Sequence, residues 1–144
     1  MSKVYRRILF AVRDIDKVSN GALRKLASLA RGSGARLELY HAMTEAVVVP
    51  RPHGAASGNL DAVFDALAAR TRQRLEKLAR SAALQGLKVS AHVDWDYPAH
   101  EAVVRRAAAT RADLVVGEAH HHALAARPFL HNTDWELIRQ CPVP

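Results

Sequence analysis

The residues best suited to chemistry in this chain lie together in one segment, between residues 117 and 132. Gly117 ends a short apolar run, and the residues after it include Glu118 and four histidines: His120, His121, His122 and His131. A loop that leaves a buried parallel strand is the usual position of a ligand in an α/β sheet. The sequence therefore predicts a candidate ligand site at this loop, with Gly117, His120, His131 and Asn132 as its members.

The histidines allow three interpretations. They can be solvated or packed against neighbours, they can hold a metal ion, or they can bind an anion together with Arg127 and the amino end of the next helix. Consecutive residues point in different directions, so no more than two of the triplet at positions 120–122 can easily share a metal ion. Glu118 is the only acidic residue at a zinc-ligand spacing. We expect no metal site.

A second group of polar residues follows the first apolar run. Asp14 and Asp16 come directly after residues 7–12, which have the composition of a buried strand. They could form an acid–base pair, contact a ligand, or remain in water as loop carboxylates. The loops after the first and fourth strands meet at the switch point of such a sheet, so Asp14 joins the candidate site. Cys141 lies beside prolines with no assignable base, and we predict a buried thiol and no enzymatic activity.

Strands and helices must alternate to position these loops. Apolar runs and helical stripes predict four strands, at residues 7–12, 36–40, 88–94 and 112–117, and four helices, at residues 20–32, 60–84, 100–110 and 132–139. This alternation is typical of an α/β domain with an open, doubly wound parallel sheet and right-handed crossovers. We expect the strand order 3-2-1-4, with a fifth strand missing or only begun at Val143.

Two of the helices carry finer signals. The long second helix has an apolar stripe and is expected to end at Gly86; the residues predicted to face inward are Val63, Leu67, Leu75 and Leu78. The fourth helix opens with Thr133 and has Glu136 three residues later, which is the pattern of a capping box.

The overall composition limits the class of protein. A chain of 144 residues forms one domain, and an apolar fraction of 49% with 6% aromatics favours a core of Ala, Val and Leu. No apolar run approaches the roughly 18 to 20 residues of a membrane span, and one cysteine without a secretory signal favours the cytoplasm. The net charge of +7 comes from scattered arginines, which indicates solvated helix faces more than nucleic-acid binding.

Three segments of the chain resemble the universal stress protein domain, and the resemblance spans essentially its whole length. They are residues 7–12 before the acidic loop, residues 97–104 and residues 112–117. Residues 133–144 are similar to the end of the first domain in tandem, E-type members. The resemblance implies a Rossmann-like fold and a role in stress response. It also implies that residues 1–144 are the amino-terminal half of a tandem protein, truncated before its last strand, with a second such domain or a homodimer as partner.

The family's ATP-binding members carry Gly-x₂-Gly-x₉-Gly followed by Ser or Thr, and this chain departs from that motif. Small residues let backbone amides approach phosphate oxygens, and the hydroxyl adds a donor. Gly117 fills the first position, but His120, Leu130 and His131 stand at the others. A one-residue insertion would place His131 and Asn132 at the end and would restore neither glycine nor hydroxyl.

Two further positions weaken the nucleotide site that the resemblance implies. Arg13 occupies the place of the family's aspartate, with Asp14 one residue late, and Glu118 adds negative charge where phosphate would lie. We therefore expect no ATP cofactor. The predicted function is a non-enzymatic stress-response domain with a degenerate loop, acting through a protein partner or a small ligand. The alternative is an ATP-binding switch with an altered loop.

Overall fold

The computed structural model describes residues 4–44, 58–118 and 133–144, with side chains from Leu60 onward in the second range and from Glu136 onward in the third. Strands and helices alternate through these ranges: β1 (Arg7–Ala11), α1 (Asn20–Ser33), β2 (Arg36–Met43), α2 (Gly58–Ala79), β3 (Val89–Trp95), α3 (Ala99–Thr110), β4 (Leu114–Gly117) and α4 (Thr133–Gln140). None of these helices has the length and apolar composition of a membrane span.

The four strands form one parallel sheet in the order β3-β2-β1-β4, as predicted. β1 is central, and its Ile8 is aligned with Leu37 of β2 and Leu114 of β4. A central parallel strand is covered on both faces, so it needs a continuous apolar run. Ile8, Leu9 and Phe10 supply that run and are each at most 2% exposed.

Helices pack on both faces of the sheet and create two apolar cores. Ile8 and Phe10 point into one core with residues of α1 and α2, whereas Leu9 points into the other with residues of α3. The split follows from the strand geometry, because successive side chains of a strand point to opposite faces. Leu137 of α4 packs against the second core.

Both ends of α1 are capped. The Ser19 hydroxyl accepts a hydrogen bond from the Ala22 N–H at 3.1 Å and so satisfies one free donor of the first turn. Gly34 ends the helix in the left-handed region at φ 64°, where a residue without Cβ has no steric penalty.

Two expectations for α2 are wrong. The helix ends at Ala79 rather than continuing to residue 84, because Ser81 has an extended backbone and a 3₁₀ turn then carries Leu84 back into the core. Val63 was predicted to face inward but is 39% exposed. Its neighbour Phe64 instead contacts Trp95 of β3 edge to face, with ring centroids 5.1 Å apart.

The outer edge of β4 is partly covered by the last residues of the chain. The Val115 N–H donates to the Pro144 carbonyl at 2.8 Å, and Val143 lines an apolar crevice beside the strand. Within the described residues no fifth strand forms, which agrees with the expectation that it is missing or only begun at Val143.

Candidate functional site

A crevice of about 220 Å³ opens at the carboxyl ends of β1, β2 and β4. The ends of these strands form its floor, and the first turn of α3 and Leu137 of α4 form its walls. β2 and β4 flank β1 on opposite sides, so the order of the strands reverses at β1. Such a switch point is where open α/β sheets bind ligands.

The polar side chains that line the crevice include Arg13, His41, His100 and Glu118. The Nδ1 atom of His41 lies 2.8 Å from the Val12 carbonyl oxygen. A carbonyl oxygen only accepts, so Nδ1 is assigned the proton and donates it. In the neutral ring, Nε2 is then the atom that can accept a hydrogen bond from a ligand.

Glu118 lies at the amino end of α1. Its Oε1 accepts a long hydrogen bond, 3.4 Å, from the backbone N–H of Ser19, the capping residue of that helix. A carboxylate is stabilised there by the partial positive charge of the first helical turn. An anionic side chain therefore occupies the amino end of α1.

The structure brings some of the predicted site residues together and leaves others apart. Gly117 and Arg13 both line the crevice, whereas Asp14 is not part of its lining. Asp14 instead accepts a hydrogen bond from the Asp16 N–H at 3.1 Å and pairs with Lys17 at 3.6 Å. Its carboxylate caps the short 3₁₀ turn Ile15–Lys17.

The rest of the predicted site lies outside the described residues, and its members are His120, His121, His122, Arg127, His131 and Asn132. The predicted capping box at Thr133 also lies outside the described residues, because the side chain of Thr133 is not described. Within the described ranges no three His, Cys, Asp or Glu side chains come together as metal ligands. Glu136 hydrogen-bonds Arg139 at 3.2 Å and Gln140 at 3.1 Å.

His41 and His100 are functional candidates that the sequence reasoning missed. The second strand was predicted to end at Tyr40 but extends to Met43, which carries His41 to the same edge as Gly117. His100 is the second residue of α3 and faces the crevice from the opposite wall. The available signal was positional: His41 lies near the carboxyl end of β2 and His100 opens the helix after β3, and parallel sheets collect their site residues at that edge.

A polar network supports β2 and β3 beside the crevice. The Tyr40 hydroxyl donates to Asp94 Oδ2 at 3.2 Å, and His92 Nε2 lies 2.9 Å from Asp94 Oδ1. The Tyr40 and His92 rings stack with centroids 6.1 Å apart. Burial raises the pKa of the Tyr40 phenol, and the negative charge of Asp94 raises it further. The phenol therefore remains a neutral donor that joins the two strands.

Comparison with known proteins gives one family. The model of the universal stress protein family matches residues 4–144. No curated protein matches the chain.

Solved structures with the same fold include three of particular use. A universal stress protein family member from Burkholderia pseudomallei has a TM-score of 0.61 at 19% identity, over 100% of this chain and 96% of that one. A putative universal stress protein from Pseudomonas aeruginosa has a TM-score of 0.58 at 20% identity, over 96% of this chain but 41% of that one. A universal stress protein in complex with cAMP has a TM-score of 0.54 at 20% identity, over 98% and 94%. At these identities the likeness shows the fold.

Proposed function

The chain belongs to the universal stress protein family, and from this premise we propose that it is a non-enzymatic stress-response domain that does not use ATP. It acts by binding a small ligand or a protein partner at the crevice between β1, β2 and β4. Two features support the proposal. His120 and Leu130 stand where the ATP-binding motif has glycines, and the crevice contains the negative charge of Glu118.

Glu118 is the observation that carries the proposal. Its carboxylate lines the crevice and accepts from the amino end of α1, so it competes for the donors that a phosphate would need. Two like charges about 4 Å apart repel by about 4 kcal/mol at an effective dielectric constant of about 20. A triphosphate brought to this helix terminus meets that repulsion without the glycine backbone that normally offsets it.

The remaining lining favours a ligand with mixed polarity. Arg13 offers donors, Glu118 and His41 Nε2 offer acceptors, and Val103 and Leu137 supply apolar surface. A small molecule that presents both hydrogen-bond donors and acceptors to these groups satisfies them without a polyphosphate chain. A polar segment of a protein partner has the same chemistry.

Calorimetric titration of the chain with Mg-ATP tests this function. We expect no binding with a dissociation constant in the low micromolar range, and we expect Glu118→Gln to strengthen whatever weak binding exists. Glu136→Gln on α4 is the matched control, because it removes the same charge away from the crevice. Low micromolar binding by the unmodified chain, or equal effects of the two substitutions, would contradict the proposal.

A nucleotide-regulated switch is the second candidate function. Arg13, His41 and His100 place three potential cations in the crevice, and one structure of the same fold contains cAMP. In that case titration with ATP or cAMP gives a saturable heat signal that Arg13→Gln abolishes. Loss of the signal in Arg13→Gln, with retention in a variant of an exposed helical arginine such as Arg70→Gln, would favour this candidate.

We also propose a tandem, cytoplasmic protein in which residues 1–144 are the first of two such domains. Residues 133–144 resemble the end of a first domain, and the chain spans 41% of the Pseudomonas aeruginosa structure. The partner is then a second universal stress protein domain, or a second copy of the chain. A reading frame that continues past Pro144 into another strand and domain supports this arrangement, and a stop codon there contradicts it.

A further inference from the structure

A second cavity, of about 290 Å³, lies at the amino-terminal edge of the sheet, opposite the crevice. The first residues of β1 and β2 form its floor, and Ser90 of β3, Thr110 of α3 and Ala112 complete its lining. Its polar side chains include two exposed arginines, Arg7 and Arg36. Neither belongs to the site described above.

The two arginines are neighbours on the same face of the sheet. Arg7 of β1 and Arg36 of β2 are aligned register partners on parallel strands, which lie about 4.8 Å apart. The Arg7 guanidinium donates to the Thr110 carbonyl at 2.9 Å, which places it on the α3 side. Arg36 shares that side with Glu38, two residues further along β2, whose carboxylate contacts α3.

The carboxylates around the cavity are already engaged. Glu38 accepts two hydrogen bonds from Arg106, at 2.6 and 3.1 Å. Asp113 accepts the backbone N–H groups of Arg6 and Arg7 at 2.8 and 3.1 Å. Among the described residues no carboxylate forms an ion pair with Arg7 or Arg36. Arg7 and Arg36 place two like charges opposite one another on neighbouring strands, an arrangement that is destabilising without a counterion.

We propose that this cavity binds the phosphate group of a small molecule. A guanidinium presents a planar fork of N–H donors that matches phosphate oxygens in pairs. Two forks lie side by side and Ser90 lines the same cavity, so together they offer more donors than the two oxygens of a carboxylate can accept. A phosphate monoester uses these donors more completely, and its charge compensates both arginines.

Titration of the full chain with inorganic phosphate, at ionic strength held constant with sodium chloride, tests the proposal. We expect a saturable shift of arginine Nε–H resonances in NMR spectra and a rise in the melting temperature, because a ligand of the folded state stabilises it. Arg36→Gln is expected to weaken phosphate binding by about tenfold or more. Arg36 suits the test because its side chain is exposed and makes no hydrogen bond or ion pair with the described residues, whereas Arg7 is bonded to α3.

Three controls make the outcome decisive. Arg70→Gln removes the same charge from the exposed face of α2 and should leave phosphate binding within about twofold. Arg36→Lys keeps the charge but loses the fork, so its affinity should fall between those of the parent and Arg36→Gln. Acetate at the same concentration should bind more weakly than phosphate. Equal losses in Arg36→Gln and Arg70→Gln, a response that chloride reproduces, or acetate binding as tight as that of phosphate would each overturn the proposal.

Discussion

Tyr40 places a phenol among apolar side chains, and its hydroxyl has one acceptor in the described structure. The side chain is 1% exposed, and the hydroxyl donates to Asp94 at 3.2 Å. Ionisation would create a buried phenolate beside the Asp94 carboxylate. For this reason burial, with the Asp94 charge as the next contribution, raises the phenol pKa in the folded state above its ordinary value near 10.

Tyr40→Phe is expected to lower the free energy of unfolding by about 1 kcal/mol at neutral pH, through loss of one hydrogen bond. This advantage of Tyr40 is present below the unfolded-state pKa and is lost at higher pH. Above about pH 10 the unfolded chain releases the phenol proton while the folded chain retains it. The difference between the parent and Tyr40→Phe should therefore shrink by up to about 1.4 kcal/mol per pH unit there.

Urea denaturation of both proteins between about pH 7 and pH 11 measures this difference. Tyr97→Phe is the control, because the Tyr97 side chain is 77% exposed and its removal should change nothing across the range. A stability difference between the parent and Tyr40→Phe that stays constant up to pH 11 would show that the Tyr40 phenol ionises normally.

On the scale of elements, one ion pair ties β2 to α3. Arg106 donates two hydrogen bonds to Glu38, and the two side chains are 24% and 17% exposed. Glu38 accordingly raises the pKa of the guanidinium. Arg106→Gln should destabilise the fold by about 2 to 3 kcal/mol, because it leaves a half-buried carboxylate without its charged partner.

The neighbouring Arg105 supplies the comparison for that measurement. It pairs with Asp96 at 2.7 Å, but its side chain is 51% exposed and solvent screens the pair. Arg105→Gln should therefore leave the midpoint of chemical denaturation nearly unchanged. If both substitutions had the same effect, the Glu38–Arg106 pair would contribute no more than a surface contact.

Two helices end in the left-handed region with different residues. Gly34 ends α1 at φ 64°, whereas Arg111 ends α3 at φ 53°. A left-handed conformation costs an L-residue roughly 1 kcal/mol, which glycine avoids. Gly34→Ala should lower the melting temperature, and Arg111→Gly should raise it by a few degrees. Thermal melts of the two variants check this, and opposite signs are the expected result.

The elements could be predicted from the sequence where the apolar pattern is unambiguous. Residues 7–12 and 112–117 are mostly apolar because strands of a parallel sheet are covered by helices, and β1 and β4 lie within them. The end of α2 could not be predicted, because Leu84 continues the helical spacing although it reaches the core from a 3₁₀ turn. Periodicity records which residues are buried but does not record whether the helix between them is continuous.

The site was only partly predictable for a related reason. Gly117 could be placed at the crevice, because the carboxyl ends of parallel strands share one edge. Asp14 was expected there too, but its carboxylate has donors within its own turn, and a short-range bond of this kind leaves no periodic signal. His41 was missed because it lies in the last part of a strand whose length was underestimated. Side-chain partners, more than element positions, decided which loop residues face the crevice.

For the whole molecule, the flank formed by β4 and α4 is the surface most suited to association. An apolar crevice of about 280 Å³ lies there between Val115, Leu137 and Val143, and Ile138 beside it is 69% exposed. Along the β4 edge the Val115 N–H donates one hydrogen bond to the Pro144 carbonyl. A neighbouring strand would form several such bonds. Apolar surface beside an incompletely paired strand edge favours contact with another chain or domain.

We therefore expect the protein to self-associate through this flank, and Ile138→Glu to oppose it. Burying one isoleucine side chain contributes about 1.5 to 3 kcal/mol, so a charge at this position should weaken association by at least about tenfold. Light scattering across a concentration series measures the effect. Val63→Glu is the matched control, because Val63 is also exposed, at 39%, but lies on α2 and away from β4. If the parent chain is monomeric at every concentration, or if both substitutions weaken association equally, the flank of β4 is not the contact surface.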